Sequence, residues 1–226
     1  TSPHTQLAAV GVVFLFVVAL RRKLGSDIDL LSFLDLVALG TVADVAPLTG
    51  VNRALVAQGL RAMSQRPKIG IAELLRLAGV SGTLKASHMG FIVGPRINAG
   101  GRIGQSDLGL ELLSTDDPEK AAKIAAELDN LNRERQQIER SVFDEAVLEV
   151  ESQVAQGAKV IAVKGQGWRQ GVVGIVASRL VERFGRPALV ASIENGIATG
   201  SGRSIPGVAL GPAVIALRES GLLISG

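Results

Sequence analysis

The order of elements predicts an α/β protein built in two parts and joined by a long helix. Past Gly157 the pattern runs strand, helix, strand: Lys159–Lys164 alternates, Gly171–Phe184 has helical spacing, and Pro187–Ile193 alternates again. Between 117 and 156 the chain is helical in period and dense in charge, with Glu127, Asp129, Arg133, Glu134, Arg135, Glu139 and Arg140. Charge that dense on a helix marks a solvated face, so a solvent-exposed connector is the expected role. Ahead of it lie short apolar runs broken by glycine and proline.

In chain order, residues 5–24 predict a buried helix ending at Gly25, its basic end Arg21-Arg22-Lys23 suited to the helix dipole. Asp35–Asp44 is an apolar run with an acid at each end and reads as a buried strand, with Pro47 and Gly50 closing the following turn. Asn52–Met63 and Gly70–Ala78 predict helices, and Ser87–Val93 a further helical turn. Gly94–Arg102 predicts a Gly/Arg loop, and Gly104–Leu113 a short helix. Ser114-Thr115-Asp116-Asp117-Pro118 carries a helix start with proline in its first turn. Gly196–Gly202 is expected to pair as a hairpin strand, and Leu210–Glu219 to close the sequence as a helix.

Composition narrows the function. The 226 residues are 47% hydrophobic and 20% charged, with net charge +3, which describes a folded globular protein that tolerates a polyanionic partner without demanding one. There is no cysteine, so disulfides, thiolate metal sites and cysteine nucleophiles are excluded; this fits a reducing cytoplasm. With two histidines, His4 and His88, a zinc site of the usual kind is excluded as well. Aromatics make up 3%, with one tryptophan, which argues against an aromatic platform for stacked bases. The apolar run Leu7–Leu20 is shorter than the roughly 18–20 residues a membrane span needs, and its basic residues follow it rather than precede it as in a signal peptide. No membrane association is expected.

Two segments point to a phosphate-bearing ligand. Gly94-Pro95-Arg96-Ile97-Asn98-Ala99-Gly100-Gly101-Arg102 and Gly200-Ser201-Gly202-Arg203-Ser204-Ile205-Pro206-Gly207 combine glycine with arginine and small polar side chains. Glycine lets backbone N–H groups approach an anion, and the guanidinium fork matches phosphate. Arg96 and Arg102 are the phosphate candidates of the first segment, with Asn98 as a hydrogen-bonding partner; the competing reading is a tight turn whose arginines pair with local acids. In the second, Ser201 and Arg203 stand at i and i+2 on a strand and so share a face. Asp44, at the end of its apolar run, is the metal-ligand candidate, against the alternative that it caps a helix or turn; Asp35 is the weaker of the two acids. Lys164–Gly174 resembles a dinucleotide-binding turn, with Glu194 as the ribose acid. Its glycine spacing is one residue too long, and Trp168 would crowd a pyrophosphate.

Leu36–Leu48, Gly94–Ile103, Gly167–Leu180 and Gly200–Gly207 stand in the order found in the RecJ family of single-strand-specific exonucleases, within the DHH phosphoesterase superfamily. The chain resembles that family over essentially its whole length. The resemblance implies a partial DHH phosphoesterase domain over 1–115, a connector helix over 116–157 and a partial α/β DHH-associated domain over 158–226. It implies 5′→3′ degradation of single-stranded DNA with Mn²⁺ or Mg²⁺, in DNA repair and recombination, by a monomeric bacterial cytoplasmic enzyme working with a helicase or single-strand-binding protein. Asp44 matches the metal-binding aspartate of a Gly-Thr-x-Ala-Asp motif. Arg96, Asn98 and Arg102 match a loop lining the nucleic-acid path. Trp168 and Gly171 match a motif of the associated domain, and Ser201, Arg203 and Ser204 its substrate-binding loop, a grip on a 5′-phosphate.

The departures shape the expectation. The Asp-His-His tripeptide that names the superfamily is missing, as are the earlier metal-binding aspartates, and Arg169 stands where the family has a histidine. The sequence reads as an internal piece of such a nuclease, inactive alone because Asp44 cannot hold a metal pair unaided. Two other readings stay open: a related DHH phosphodiesterase acting on oligoribonucleotides or cyclic dinucleotides, and a non-catalytic nucleic-acid-binding module.

Overall fold

The computed structural model describes residues 5–103 and 105–225. The chain divides into two compact units, Thr1–Asn132 and Arg133–Gly226.

The first unit is helical: α1 (Ala9–Leu24), α2 (Leu34–Ala43), α3 (Gly50–Gln65), α4 (Ile69–Leu77), the short α5 (Ala86–His88), a π-helical turn at Met89–Val93, α6 (Gly94–Ile103), α7 (Leu108–Ser114) and the first half of α8 (Pro118–Ala155). α1 ends at Gly25, whose left-handed φ of 63° returns its N–H to the Arg21 carbonyl. The helix forms as predicted, but its burial does not: Gly11 alone is buried, while Val12, Val13 and Phe16 stay exposed. No helix among the described residues is long and apolar enough to cross a membrane.

The run expected to be a strand is α2. Its residues Leu34, Asp35, Val37, Ala38, Leu39 and Thr41 are buried around most of the helix circumference. A helix enclosed on all sides loses the 3.6-residue alternation that distinguishes it from a buried strand. Leucine and alanine, both strong helix formers, decide the matter locally. α3 lies directly against α2 because Gly59 has no side chain: a Cβ there would sit 2.1 Å from the Leu34 carbonyl oxygen. Met63, Ile71, Leu74, Met89, Val93, Leu112 and Leu128 fill the core around this pair.

The first Gly/Arg segment is likewise a helix, α6, rather than a loop. Pro95 is tolerated in its first turn, where the backbone N–H has no intrahelical partner. Gly100 lets the far end close against the following chain, since a Cβ there would lie 2.3 Å from the Gln105 carbonyl oxygen. The expected helix over 104–113 is realised as α7; Gly104, like His4, lies outside the described residues. His88 serves locally, its Nδ1 accepting the Lys85 N–H at 3.2 Å to cap α5.

α8 starts where the sequence places it: the Asp117 carboxylate accepts the N–H groups of Glu119 and Lys120, with Pro118 in the first turn. It is not solvated all round, which corrects the exposed-connector expectation. Ala121, Ile124, Ala125 and Leu128 recur at helical spacing and are buried in the first core, and Val142, Phe143, Ala146 and Val150 in the second. Its charges occupy what remains of the surface.

The second unit holds β1 (Ile161–Gln166), α9 (Gln170–Phe184), β2 (Ala188–Glu194), β3 (Ile197–Arg203) and α10 (Leu210–Glu219). The sheet order is β1-β2-β3; β1 and β2 are parallel, as a helical crossover requires, and β2 and β3 antiparallel. Asn195 and Gly196 make the hairpin turn with φ of 50° and 78°, the paired left-handed conformations a two-residue turn needs. On β1, the Gln153 carboxamide binds both the N–H and the carbonyl of Ala162, at 3.1 and 2.7 Å, occupying ladder groups that no strand pairs. The strand, helix and hairpin expectations for this unit hold within a few residues.

Candidate nucleic-acid interface

In the second unit, β3 alternates glycine with side chains that can grip. Gly202 faces Leu189 and Leu210, with no room for a Cβ. Ser201 and Arg203 point the other way, over Gly174 of α9: a Cβ at Gly174 would meet the Ser201 Oγ at 3.1 Å and the Arg203 Nη2 at 3.2 Å. The Arg203 Nη1 donates to the Ser201 Oγ at 2.9 Å and to the Gly202 carbonyl at 2.7 Å. The i, i+2 pair therefore acts as one group, as the strand pattern predicts. Arg203 is exposed, and among the described residues its Nη2 and Nε make no hydrogen bond, which leaves a two-donor edge for an anion. Ser204 behaves differently. Its hydroxyl donates to the Val208 carbonyl at 2.7 Å and closes the 204–208 turn.

Gly171 and Gly174 stand at i and i+3 on α9, which puts them along one face of its N-terminal half. Trp168, expected to touch nucleic acid, is instead part of the core at 8% exposure. Its Nε1–H donates to the Glu145 Oε2 at 3.0 Å, the indole lies on Gly165, and its carbonyl accepts the Ser192 hydroxyl. Both polar ends of this residue are consumed inside the fold, so Trp168 fixes the turn between β1 and α9. Arg169, the N-cap residue of α9, lies 3.6 Å from the Glu134 carboxylate, both half exposed. That pair is too open to hold firmly.

In the first unit the predicted residues separate. The Arg96 guanidinium is committed to structure: Nε lies 2.8 Å from the Asp129 Oδ1, Nη1 donates to the Ile92 carbonyl at 2.9 Å, and both charged side chains are largely buried. It ties α6 to α8, pairing with a distant acid rather than with the local one that the tight-turn alternative supposed. Asn98 and Arg102 are exposed and lie four residues apart on the same side of α6. Asp44 is exposed at the end of α2, its N–H bonded to the Gly40 carbonyl, and its carboxylate has no hydrogen-bonding partner among the described residues. Val45 follows with a left-handed φ of 56°, unusual for a β-branched residue. Gly90 and Gly94 let the π-helical turn and α6 approach this end of α2: a Cβ on Gly90 would lie 3.3 Å from Val42, and one on Gly94 3.3 Å from Ala43.

Mg²⁺ or Mn²⁺ takes several oxygen ligands. Among the described residues no three histidine, cysteine, aspartate or glutamate side chains come together. Asp44 thus fits as one carboxylate ligand, and the donor set does not amount to a metal centre. Asp35, the weaker candidate, is a buried first-turn residue of α2 whose Oδ1 accepts the Leu36 N–H at 2.7 Å. Burial pushes its pKa above the ordinary value, opposed in part by that bond and by Lys68. Sequence reasoning missed Glu145 and Gly174. The signal for Gly174 is its three-residue spacing from Gly171; nothing local marks Glu145, which lies 23 residues from its partner.

The DHHA1 domain family matches residues 157–221. The single-stranded-DNA-specific exonuclease RecJ of Bacillus subtilis is 43% identical over 210 residues, covering 92% of this chain and 26% of that protein. The RecJ of Escherichia coli is 42% identical over 226 residues, covering 91% and 38%. The crystal structure of RecJ in complex with Mg²⁺ from Thermus thermophilus superimposes with a TM-score of 0.81 at 38% identity, over 94% of this chain and 32% of that one. Exonuclease RecJ bound to manganese gives 0.78 at 37% identity, over 95% and 52%. The chain spans well under half the length of the curated relatives it matches.

Proposed function

From a chain that is RecJ-like in sequence and fold along nine-tenths of its length, we propose a part of a single-stranded-DNA exonuclease that grips the phosphate backbone. The observation that carries this is the Ser201–Arg203 pair over Gly174, with a free guanidinium edge beside a helix face cleared of side chains. A guanidinium edge of that kind fits two oxygens of one phosphate. In this reading the phosphate is the one at the 5′ end, where no second nucleotide competes for space. Asn98 and Arg102 add an exposed polar face in the first unit. Trp168, Arg96 and Ser204 are positioning residues rather than contacts.

Asp44 is, in the same reading, one ligand of a divalent metal that supplies charge to the phosphodiester and activates water when bound. A second reading, a nucleic-acid-binding module without catalysis, rests on the same Ser201–Arg203 pair, which needs no metal to hold a phosphate.

The experiment is fluorescence anisotropy with 5′-phosphorylated and 5′-hydroxyl single-stranded oligodeoxynucleotides. Removing one charge-assisted contact in Arg203→Ala weakens binding of the phosphorylated strand by about tenfold to a hundredfold and erases its advantage over the hydroxyl strand. Unchanged affinity in that variant would refute the assignment.

A further inference from the structure

We propose that Gly174 is a positioning residue for the phosphate grip: its missing side chain sets how far the Ser201 hydroxyl and the Arg203 guanidinium descend onto α9. The inference rests on the reading of that pair as the grip. Gly174 is the fifth residue of a fifteen-residue helix, where glycine is less favourable than alanine. Its φ is not left-handed, so no backbone conformation demands glycine there. Val172, Val173, Val176 and Ala177 carry the packing of α9 into the core, and Gly174 is not among them. The three nearest atoms a Cβ would meet all belong to two side chains: the Ser201 Oγ at 3.1 Å, the Arg203 Nη2 at 3.2 Å and, at ordinary contact distance, the Ser201 Cβ at 3.5 Å.

Those distances are tight without being prohibitive, so an added methyl displaces the hydroxyl and guanidinium by a few tenths of an ångström and leaves the backbone in place. The displaced Nη2 belongs to the edge that faces the anion. The nearest cause for glycine at this position is therefore the geometry of the grip. A glycine retained for folding would be expected to meet backbone, as Gly59 and Gly100 do.

This separates stability from binding with opposite signs. In the full chain, Gly174→Ala raises the melting temperature by about 2–4 °C through helix propensity. It weakens binding of a 5′-phosphorylated oligodeoxynucleotide by about fivefold while leaving the 5′-hydroxyl strand nearly unchanged. Glu182→Ala, an exposed change on the same helix, is the control and moves neither affinity. Gly174→Ala with full affinity, alongside a weakened Arg203→Ala, overturns the positioning role and leaves the grip intact. Loss of affinity together with a lower melting temperature also overturns it, because Gly174 would then serve the fold. If Arg203→Ala binds normally, the grip itself fails and the inference falls with it.

Discussion

Asp35 carries a carboxylate into the first unit at 4% exposure, and its environment offers incomplete compensation: the backbone N–H groups of Leu36 and of Asp35 itself, the favourable end of α2 and the charge of Lys68. Burial outweighs these and holds its pKa above 3.8. Between the unfolded and folded values the native state binds more protons, so this residue's contribution to stability falls as pH rises through that window. At neutral pH the whole penalty is present. Asp35→Asn keeps an oxygen for the Leu36 N–H and removes the charge. The variant should be more stable than the parent at pH 7 in urea titrations, and the difference should close as pH falls below the ordinary carboxylate value. A gap that stayed constant with pH would show that ionisation of Asp35 is not its source. Residue types alone did not reveal which arginines stay inside. Arg96 and Arg102 share one motif, yet Arg96 is drawn inward to Asp129 of α8, 33 residues further on, while Arg102 is exposed.

At the scale of elements, what the sequence made legible depends on how each segment is buried. The second unit could be read almost entirely, because its strands alternate, its hairpin carries Asn195-Gly196, and α9 shows one apolar face. α2 could not, since burial around its circumference erases periodicity, and α6 could not, since glycine and proline mark loops more often than helices. The Ser201–Arg203 pair was legible from strand geometry alone, and the burial of Trp168 was not, because its acceptor Glu145 comes from α8. The α2–α3 contact tests the helical account directly. A Cβ on residue 59 would stand 2.1 Å from the Leu34 carbonyl oxygen and 2.5 Å from the Ala38 Cβ, both on rigid groups. Gly59→Ala should therefore cost about 2–3 kcal/mol despite the better helix propensity of alanine. Urea midpoints measure it; a stabilised variant would mean that the two helices are not in close contact.

For the molecule as a whole, the division between gripping and cleaving follows from which groups the chain brings together. Phosphodiester hydrolysis at neutral pH needs concentrated positive charge at the phosphoryl oxygens and an activated water, and divalent metals supply both. The chain presents Asp44 as an exposed carboxylate, and no three histidine, cysteine, aspartate or glutamate side chains come together among the described residues. Backbone binding needs no such cluster, because guanidinium and backbone donors suffice. The purified chain is therefore expected to bind single-stranded DNA with a salt dependence that becomes shallower by about 0.7 in log–log slope when Arg203 is replaced by alanine. It is expected to release no mononucleotides on incubation with Mn²⁺. Asp44→Ala should leave the affinity in metal-free buffer unchanged if, as proposed, that side chain serves the metal and not the strand. Chromatography of a 5′-labelled strand after incubation decides the point: Mn²⁺-dependent release that disappears in Asp44→Ala would show that one carboxylate of this chain, with donors of lesser charge, already assembles a working centre.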